Sequence, residues 1–283
     1  MGLDSPIIDA HHHFWRIGRD VNGWITDDIS AIRRDYLHDH LAPYVSHLGI
    51  DGTVLVQASE TWSENAFMAE QAAACGFVKA VVGWVDLSDA AAPEHLQDLA
   101  RQPIVKAVRP VLQGIEDSAW IMRPDVMANV AKLAPLGLRL DALIQPRHLP
   151  VIDKLARALP DLPIVINHCA KPEFHGDPAL FAAWTDGITR LSEHPQICCK
   201  LSGLAAEYGA GWQTCVLKNV ADHVITAFGP SRVMWGSDWP VLELDGSYPQ
   251  WLTCVKQLIA NFSPEEQADI MGKSAMRHYG IAI

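Results

Sequence analysis

The chain has 283 residues, 49% apolar and 19% charged, with a mean hydropathy of +0.06. That apolar content offsets the entropy of ordering and excludes a disordered chain, and the composition excludes collagen-like and coiled-coil folds. The net charge of −11 comes from 33 acids and 22 bases with no Lys/Arg-rich block, which argues against nucleic-acid binding, and no apolar stretch approaches the roughly 18 residues of a membrane span.

Dividing the length by about 150 suggests two domains, but one (β/α)8 barrel of about 250 residues would use the whole chain. No linker, charge run or low-complexity tract interrupts it, so residues 1–283 are read as one domain. Apolar runs rich in Val, Ile and Leu lie at 7–11, 53–57, 80–85, 104–111, 138–144, 164–168, 197–202 and 233–238. Near-continuous apolar runs fit parallel strands buried on both faces. Segments with helical periodicity lie between them at 63–75, 122–136, 149–159, 178–194 and 212–228. Ser63 and Asp177 are candidate N-caps, and Gly137 and Gly229 end periodic stretches. Gly23, Pro43 and Gly49 predict irregular helix between 22 and 47. About eight such β units argue for a (β/α)8 barrel. The rival doubly wound sheet lacks its cofactor signatures: no Gly-x-Gly-x-x-Gly follows the first strand, and there is no Walker A pattern.

The N-terminus has no cationic segment followed by an apolar one, and Pro6 stands where a myristoylation motif wants Ser or Thr. Cys75, Cys169, Cys198, Cys199, Cys215 and Cys254 form no Cys-x-x-Cys, and Cys198 and Cys199 are adjacent. They read as buried reduced thiols of a cytoplasmic protein. A homo-oligomer is compatible with the composition.

Almost every predicted strand ends in a polar residue able to do chemistry: His11–His13, Gln57, Trp84 and Asp86, Lys106 and Arg109, Gln145 to His148, His168 and Lys171, Lys200 and Ser202, and Asp238. In a (β/α)8 barrel these ends meet at one mouth. Residues two apart on a strand share a face, so His11 and His13 both point inward while His12 points away. Two converging imidazoles suit a divalent metal, and with His168 and Asp238 they form a nitrogen/oxygen set for zinc or a similar ion. The alternatives are surface-loop histidines, a hydrogen-bonded core histidine at 168, and a helix N-cap at Asp238. An Asp beside a metal-bound water serves as ligand and general base. Lys106 and Arg109, three apart, cannot face the same way; Arg109, a planar donor fork, is the candidate substrate contact. Trp15, Trp24, Trp84 and Trp239 lie near strand ends, where an indole stacks on a sugar ring or packs in the core. No Gly-x-Ser-x-Gly elbow is present, which argues against a serine nucleophile.

Residues 8–15 (Ile-Asp-Ala-His-His-His-Phe-Trp), 167–172 (Asn-His-Cys-Ala-Lys-Pro), 200–204 (Lys-Leu-Ser-Gly-Leu) and 235–240 (Trp-Gly-Ser-Asp-Trp-Pro) resemble the amidohydrolase superfamily. More narrowly they resemble its sugar-lactonase branch, and Lys273–Gly280 is similar to that branch's closing motif. The resemblance implies a distorted (β/α)8 barrel that hydrolyses a C–O or C–N bond with activated water. It places His11, His13 and Asp238 at metal positions and His168 at the sixth-strand histidine. Two-metal members carry a fourth-strand lysine bridge and a fifth-strand histidine. Here the fifth strand ends Leu-Ile-Gln-Pro, which argues for one divalent ion, zinc, and some relatives use none.

The expected substrate is an aldonolactone similar to L-fuconolactone. Asp238 and His168 are the expected catalytic residues, and Arg109, Lys171, Trp84 and Trp239 the expected substrate contacts. The rivals are a carboxylated-lactone hydrolase using Arg16, Arg109 and Arg147, a metal-dependent decarboxylase, and a non-catalytic sugar-binding barrel.

Overall fold

The structure, a computed structural model, describes residues 5–18 and 23–283. Residues 1–4, where the search for a leader begins, and Asn22 lie outside the described residues.

The strands β1 (Ile8–His12), β2 (Gly52–Val56), β3 (Val78–Gly83), β4 (Val105–Val108), β5 (Arg139–Ala142), β6 (Ile164–Ile166), β7 (Ile197–Leu201) and β8 (Val233–Trp235) pair in parallel in that order. The ring closes just beyond β8. The Asp238 N–H donates to the His11 carbonyl at 2.8 Å, and the His13 N–H to the Trp239 carbonyl at 2.7 Å. The expected (β/α)8 barrel is therefore the observed fold. The helices are α1 (His38–Leu48), α2 (Trp62–Ala74), α3 (Ala92–Ala100), α4 (Pro124–Val130), α5 (Leu149–Ala158), α6 (Pro178–Ser192), α7 (Leu204–Tyr208), α8 (Thr214–Phe228), α9 (Tyr248–Leu258), α10 (Pro264–Ala268) and α11 (Ser274–Tyr279). Among the described residues no helix is long and apolar enough to cross a membrane.

Two apolar layers follow from strand alternation. Ile8, Val54, Val56, Ala80, Val82, Ala107, Val165 and Met234 fill the barrel. Their sequence neighbours Leu55, Val81, Val108, Ile164, Ile166 and Val233 face the helices. Ala275, Tyr279 and Ile281 join the inner layer and plug the amino end of the barrel. A π-helical turn at Asp269–Lys273 brings the chain to that plug, so close that a Cβ on Gly272 would lie 2.0 Å from the Pro6 carbonyl oxygen.

Several local expectations need correction. The helix after β2 starts at Trp62, which places Ser63 inside its first turn rather than at the cap; Asp177 does cap α6, accepting from the Ala179 N–H at 2.8 Å. Pro43 does not interrupt α1. It lies on the exposed side, where the carbonyl it leaves unpaired meets water. The helix expected over 122–136 ends at Val130, and a separate turn at Ala134–Leu136, with Pro135 inside it, precedes Gly137 in the left-handed conformation. All six cysteines are free, but Cys215 is exposed rather than buried.

Candidate active site

The carboxyl ends of the strands meet around a cavity of about 490 Å3, whose lining includes His13, Gln57, Arg109, His168, Lys171 and Asp238. Three backbone irregularities aim these side chains. On β1, Ile8 and Ala10 face the barrel interior, so strict alternation would turn His11 outward. A register shift between Asp9 and His12 breaks the alternation and swings His11 and His13 to the inside. His12 is left outside, with Nε2 2.8 Å from Thr53 Oγ1 and its ring on Phe14.

After β6, His168, Cys169, Ala170 and Lys171 all have positive φ, 52°, 52°, 58° and 53°. Each such residue costs roughly 1–2 kcal/mol, because its Cβ crowds the carbonyl that follows. The turn is held by the Trp184 indole N–H on the Cys169 carbonyl (2.7 Å) and by Ser202 Oγ at 2.9 Å from His168 Nδ1. Gly203, itself at φ 69°, makes room for it, since a Cβ there would sit 2.5 Å from His168 Nδ1. Asp238 is also left-handed, at φ 58°. It does not cap the turn that follows, whose N-cap is Pro240, and its carboxylate enters the cavity.

Asp238 Oδ1 lies 3.4 Å from His13 Nε2, 3.7 Å from His11 Nε2 and 3.8 Å from His168 Nε2. Burial pushes the Asp238 carboxyl up, but His168, His13 and Lys171 outweigh it and hold it below its usual value. Burial keeps His168 neutral, its pKa lowered to about 3, and lowers His11 and His13 as well. Arg109 keeps its charge: burial lowers it to about 10, opposed by Asp141 and Asp238. Its Nη2 donates to the Gln57 carbonyl at 2.5 Å, and Nη1 lies 3.4 Å from His11 Nε2. Gln57 Oε1 is buried without a protein partner among the described residues, so it is free to accept from a ligand hydroxyl.

The donor set fits a metal ion. Donor atoms of His11, His168 and Asp238 lie within 4.8 Å of one another. Tetrahedral zinc, with bonds near 2.0–2.1 Å, needs donors about 3.3–3.5 Å apart, close to the His13–Asp238 separation. His13 Nδ1 donates to the Val56 carbonyl at 2.8 Å, which leaves Nε2 free for a metal. Lys106 stays out of the cluster, on the outer face of β4 beside inward-facing Ala107.

Beneath His11 lies a polar floor. Lys200 Nζ, fully buried, is 2.7 Å from Asp141 Oδ2 and 3.3 Å from His11 Nδ1. The Tyr279 hydroxyl donates to Asp141 at 2.9 Å, and Asn167 reaches the same carboxylate at 3.3 Å. Burial lowers the Lys200 pKa, and Asp141 opposes it.

Two expected substrate contacts are not brought together with the rest. Trp84 does not line the cavity; its N–H and carbonyl bind Asn65 at 2.9 and 2.8 Å, which docks this loop on α2. Trp239 is buried outside the cavity against Phe14 and Tyr36, its indole N–H on Glu243 Oε1 at 2.8 Å. Of the tryptophans near strand ends, Trp24 is the one that lines the cavity. Lys171 lines it while paired to Glu207 at 2.6 Å. Sequence reasoning missed Glu60 on a loop, Gln113 in a single 3-10 turn and Glu207 on the short helix α7, none of which a motif marks. It also missed Asp141, whose signal was a lone carboxylate inside the apolar run 138–144. A larger groove of about 990 Å3 outside α5 and α6 holds none of the clustered histidines.

The profile of a known family, described as amidohydrolase, matches residues 8–281. The chain is 37% identical over 278 residues to an L-fucono-1,5-lactonase of Burkholderia ambifaria, covering 97% of this chain and 95% of that one. It is 32% identical over 286 residues to an L-fucono-1,5-lactonase of Burkholderia multivorans, covering 97% and 96%. Among solved structures, an amidohydrolase from Burkholderia multivorans superposes with a TM-score of 0.91 at 30% identity, over 98% of this chain and all of that one; one crystal form holds HEPES and another zinc.

Proposed function

The chain belongs to the amidohydrolase family, and on that premise we propose that it opens a sugar-derived aldonolactone, of the L-fucono-1,5-lactone kind, to the aldonic acid. The observation that carries the reading is Asp238, ionised and surrounded by three imidazoles, beside the Arg109 guanidinium in one cavity. The two lactonase relatives support the substrate class.

Asp238 takes a proton from the attacking water as the water oxygen bonds to the lactone carbonyl carbon. The carbonyl oxygen becomes an oxyanion beside Arg109, which stabilises it. The tetrahedral carbon collapses, the ring C–O bond breaks, and the proton on Asp238 passes to the departing ring oxygen. His168, neutral and fixed through Ser202, orients the water. Gln57 and Lys171 meet substrate hydroxyls at the wall. His11, His13, His168 and Asp238 are the residues that would hold zinc, a choice supported by the zinc-bound relative; when bound, the ion supplies Lewis-acid polarisation. The six free thiols support a cytoplasmic reaction.

The cavity suits a neutral polyol better than a dicarboxylate. Glu60, Glu207 and Asp238 line it, against Arg109 and Lys171. Of the three arginines a carboxylated lactone would need, Arg16 pairs with Asp35 outside it. Arg147 is spent on the Glu116, Gln113 and Ile115 carbonyls.

Proton release from a panel of aldonolactones tests the proposal. Turnover of L-fucono-1,5-lactone and its stereochemical neighbours supports it. Silence across sugar lactones, with turnover of a carboxylated lactone, overturns it.

A further inference from the structure

Two cations and three carboxylates line the cavity: Arg109 and Lys171 against Glu60, Glu207 and Asp238. The reaction employs Asp238 and Arg109, whose charges favour one another. It leaves Glu207 without a task. Glu207 Oε1 lies 2.6 Å from Lys171 Nζ, and the two side chains are only 26% and 21% exposed.

Backbone with few alternatives builds this pair. Lys171 closes the left-handed run after β6 at φ 53°, its N–H on the His168 carbonyl at 2.8 Å. Glu207 sits on α7, which glycines bound on both sides, Gly203 at φ 69° and Gly209 at φ 84°. The two segments are tied together. His175 Nε2 donates to the Tyr208 carbonyl at 2.8 Å, and the Phe174 ring meets the Tyr208 ring edge-on. Ion pairs on an open surface contribute little; this one lies in a cavity wall, where less water screens it.

An ammonium has three N–H donors. Glu207 takes one and leaves the others for ring hydroxyls, but it cancels the charge that would draw in a substrate carboxylate. A rounded cavity of about 490 Å3 is about 10 Å across, one Debye length at 0.1 M salt. A charge anywhere on a bound lactone therefore feels the pair. We propose that Glu207 is a specificity-determining residue: by neutralising Lys171 it restricts the cavity to lactones whose carbon tail is uncharged and rejects those that end in a carboxylate. The inference rests on reading the cavity as a sugar-lactone site, and it names the group that sets the charge class of the substrate.

Glu207→Gln tests it, since glutamine keeps the shape and an acceptor for Lys171 while removing the charge. The probes are L-galactono-1,4-lactone and L-galactaro-1,4-lactone, which share their ring and stereocentres and differ at C6, a hydroxymethyl in one and a carboxylate in the other. Both are opened through Asp238, so an effect on the chemical step cancels in the ratio of their kcat/KM values. That ratio should move towards the carboxylate by about tenfold or more in Glu207→Gln. The gain should shrink as salt is raised from about 0.05 M to about 0.5 M, and it should vanish in Glu207→Gln combined with Lys171→Met. An unchanged ratio, or a gain insensitive to salt and to the second substitution, overturns the proposal. If the parent opens neither probe, calorimetric titration with the two lactones decides. Glu207→Gln should then bind the carboxylate lactone about tenfold or more tighter than the parent does, and equal binding overturns the proposal. Whether the site opens sugar lactones at all is decided separately, by proton release from the neutral panel.

Discussion

The two ends of the barrel solve opposite problems. At the amino end, Asp141, Lys200 and Tyr279 bury their polar atoms in mutual hydrogen bonds, and the helix that carries Tyr279 is regular. At the carboxyl end, residues 168–171 and 238 hold left-handed backbone, and β1 is bulged. There three imidazoles surround one carboxylate, and Gln57 Oε1 and Arg109 Nε are buried without a partner among the described residues. Strain of this kind persists only where surrounding structure over-determines it. The floor serves stability and orientation, while the mouth holds reactive groups where a relaxed chain would not.

The sharpest way to break that comparison is at Asp238. Asparagine tolerates the left-handed region, so Asp238→Asn should keep the fold while removing the proton acceptor. Turnover should fall by about 10³-fold or more, with melting temperature preserved. Next comes Gly203→Ala, which adds a Cβ at φ 69° and within 2.5 Å of the His168 ring. Displacing that ring should lower turnover by about 10²-fold and stability by about 2 kcal/mol, read by kinetics and urea unfolding.

At the floor the balance should invert. Tyr279→Phe removes a donor to Asp141 and should lower stability by about 1–2 kcal/mol while turnover stays near that of the parent. A large loss of turnover with unchanged stability would erase the distinction between the two ends. A pH effect of similar size belongs to the same end of the barrel. Burial holds the His278 pKa near 3, against 6.5 for a free imidazole. The unfolded chain therefore binds a proton that the folded chain refuses, and stability falls as pH drops from about 6.5 towards 3. Between pH 7 and pH 5 this one residue should contribute about 2 kcal/mol of loss, and His278→Gln should lose that much less in urea titrations at the two pH values.

Much of this molecule was legible before its structure. Eight apolar runs at near-regular spacing predict the barrel, because parallel strands buried on both faces leave no polar alternation. His11, His13, His168 and Asp238 stood out because each follows such a run. What escaped was irregular backbone. The face of His11 depends on a bulge that no residue in Ile8–His12 announces. Pro43 marked a break that exposure to water made unnecessary. Trp84 and Trp239 looked like sugar platforms by position; the Trp239 indole instead gains more by full burial than by lining a wet cavity, and the Trp84 backbone is tied to Asn65. Glu60 came from a loop, and Glu207 from the five-residue helix α7, too short to show a facing period in the sequence.

The most direct test of the account compares the parent protein with Asp238→Asn in a proton-release assay on L-fucono-1,5-lactone. The parent should open the lactone rapidly and the variant about 10³-fold more slowly, with the two proteins equally folded. Turnover in Asp238→Asn within a few-fold of the parent would contradict it, because the proton would then be taken by another group.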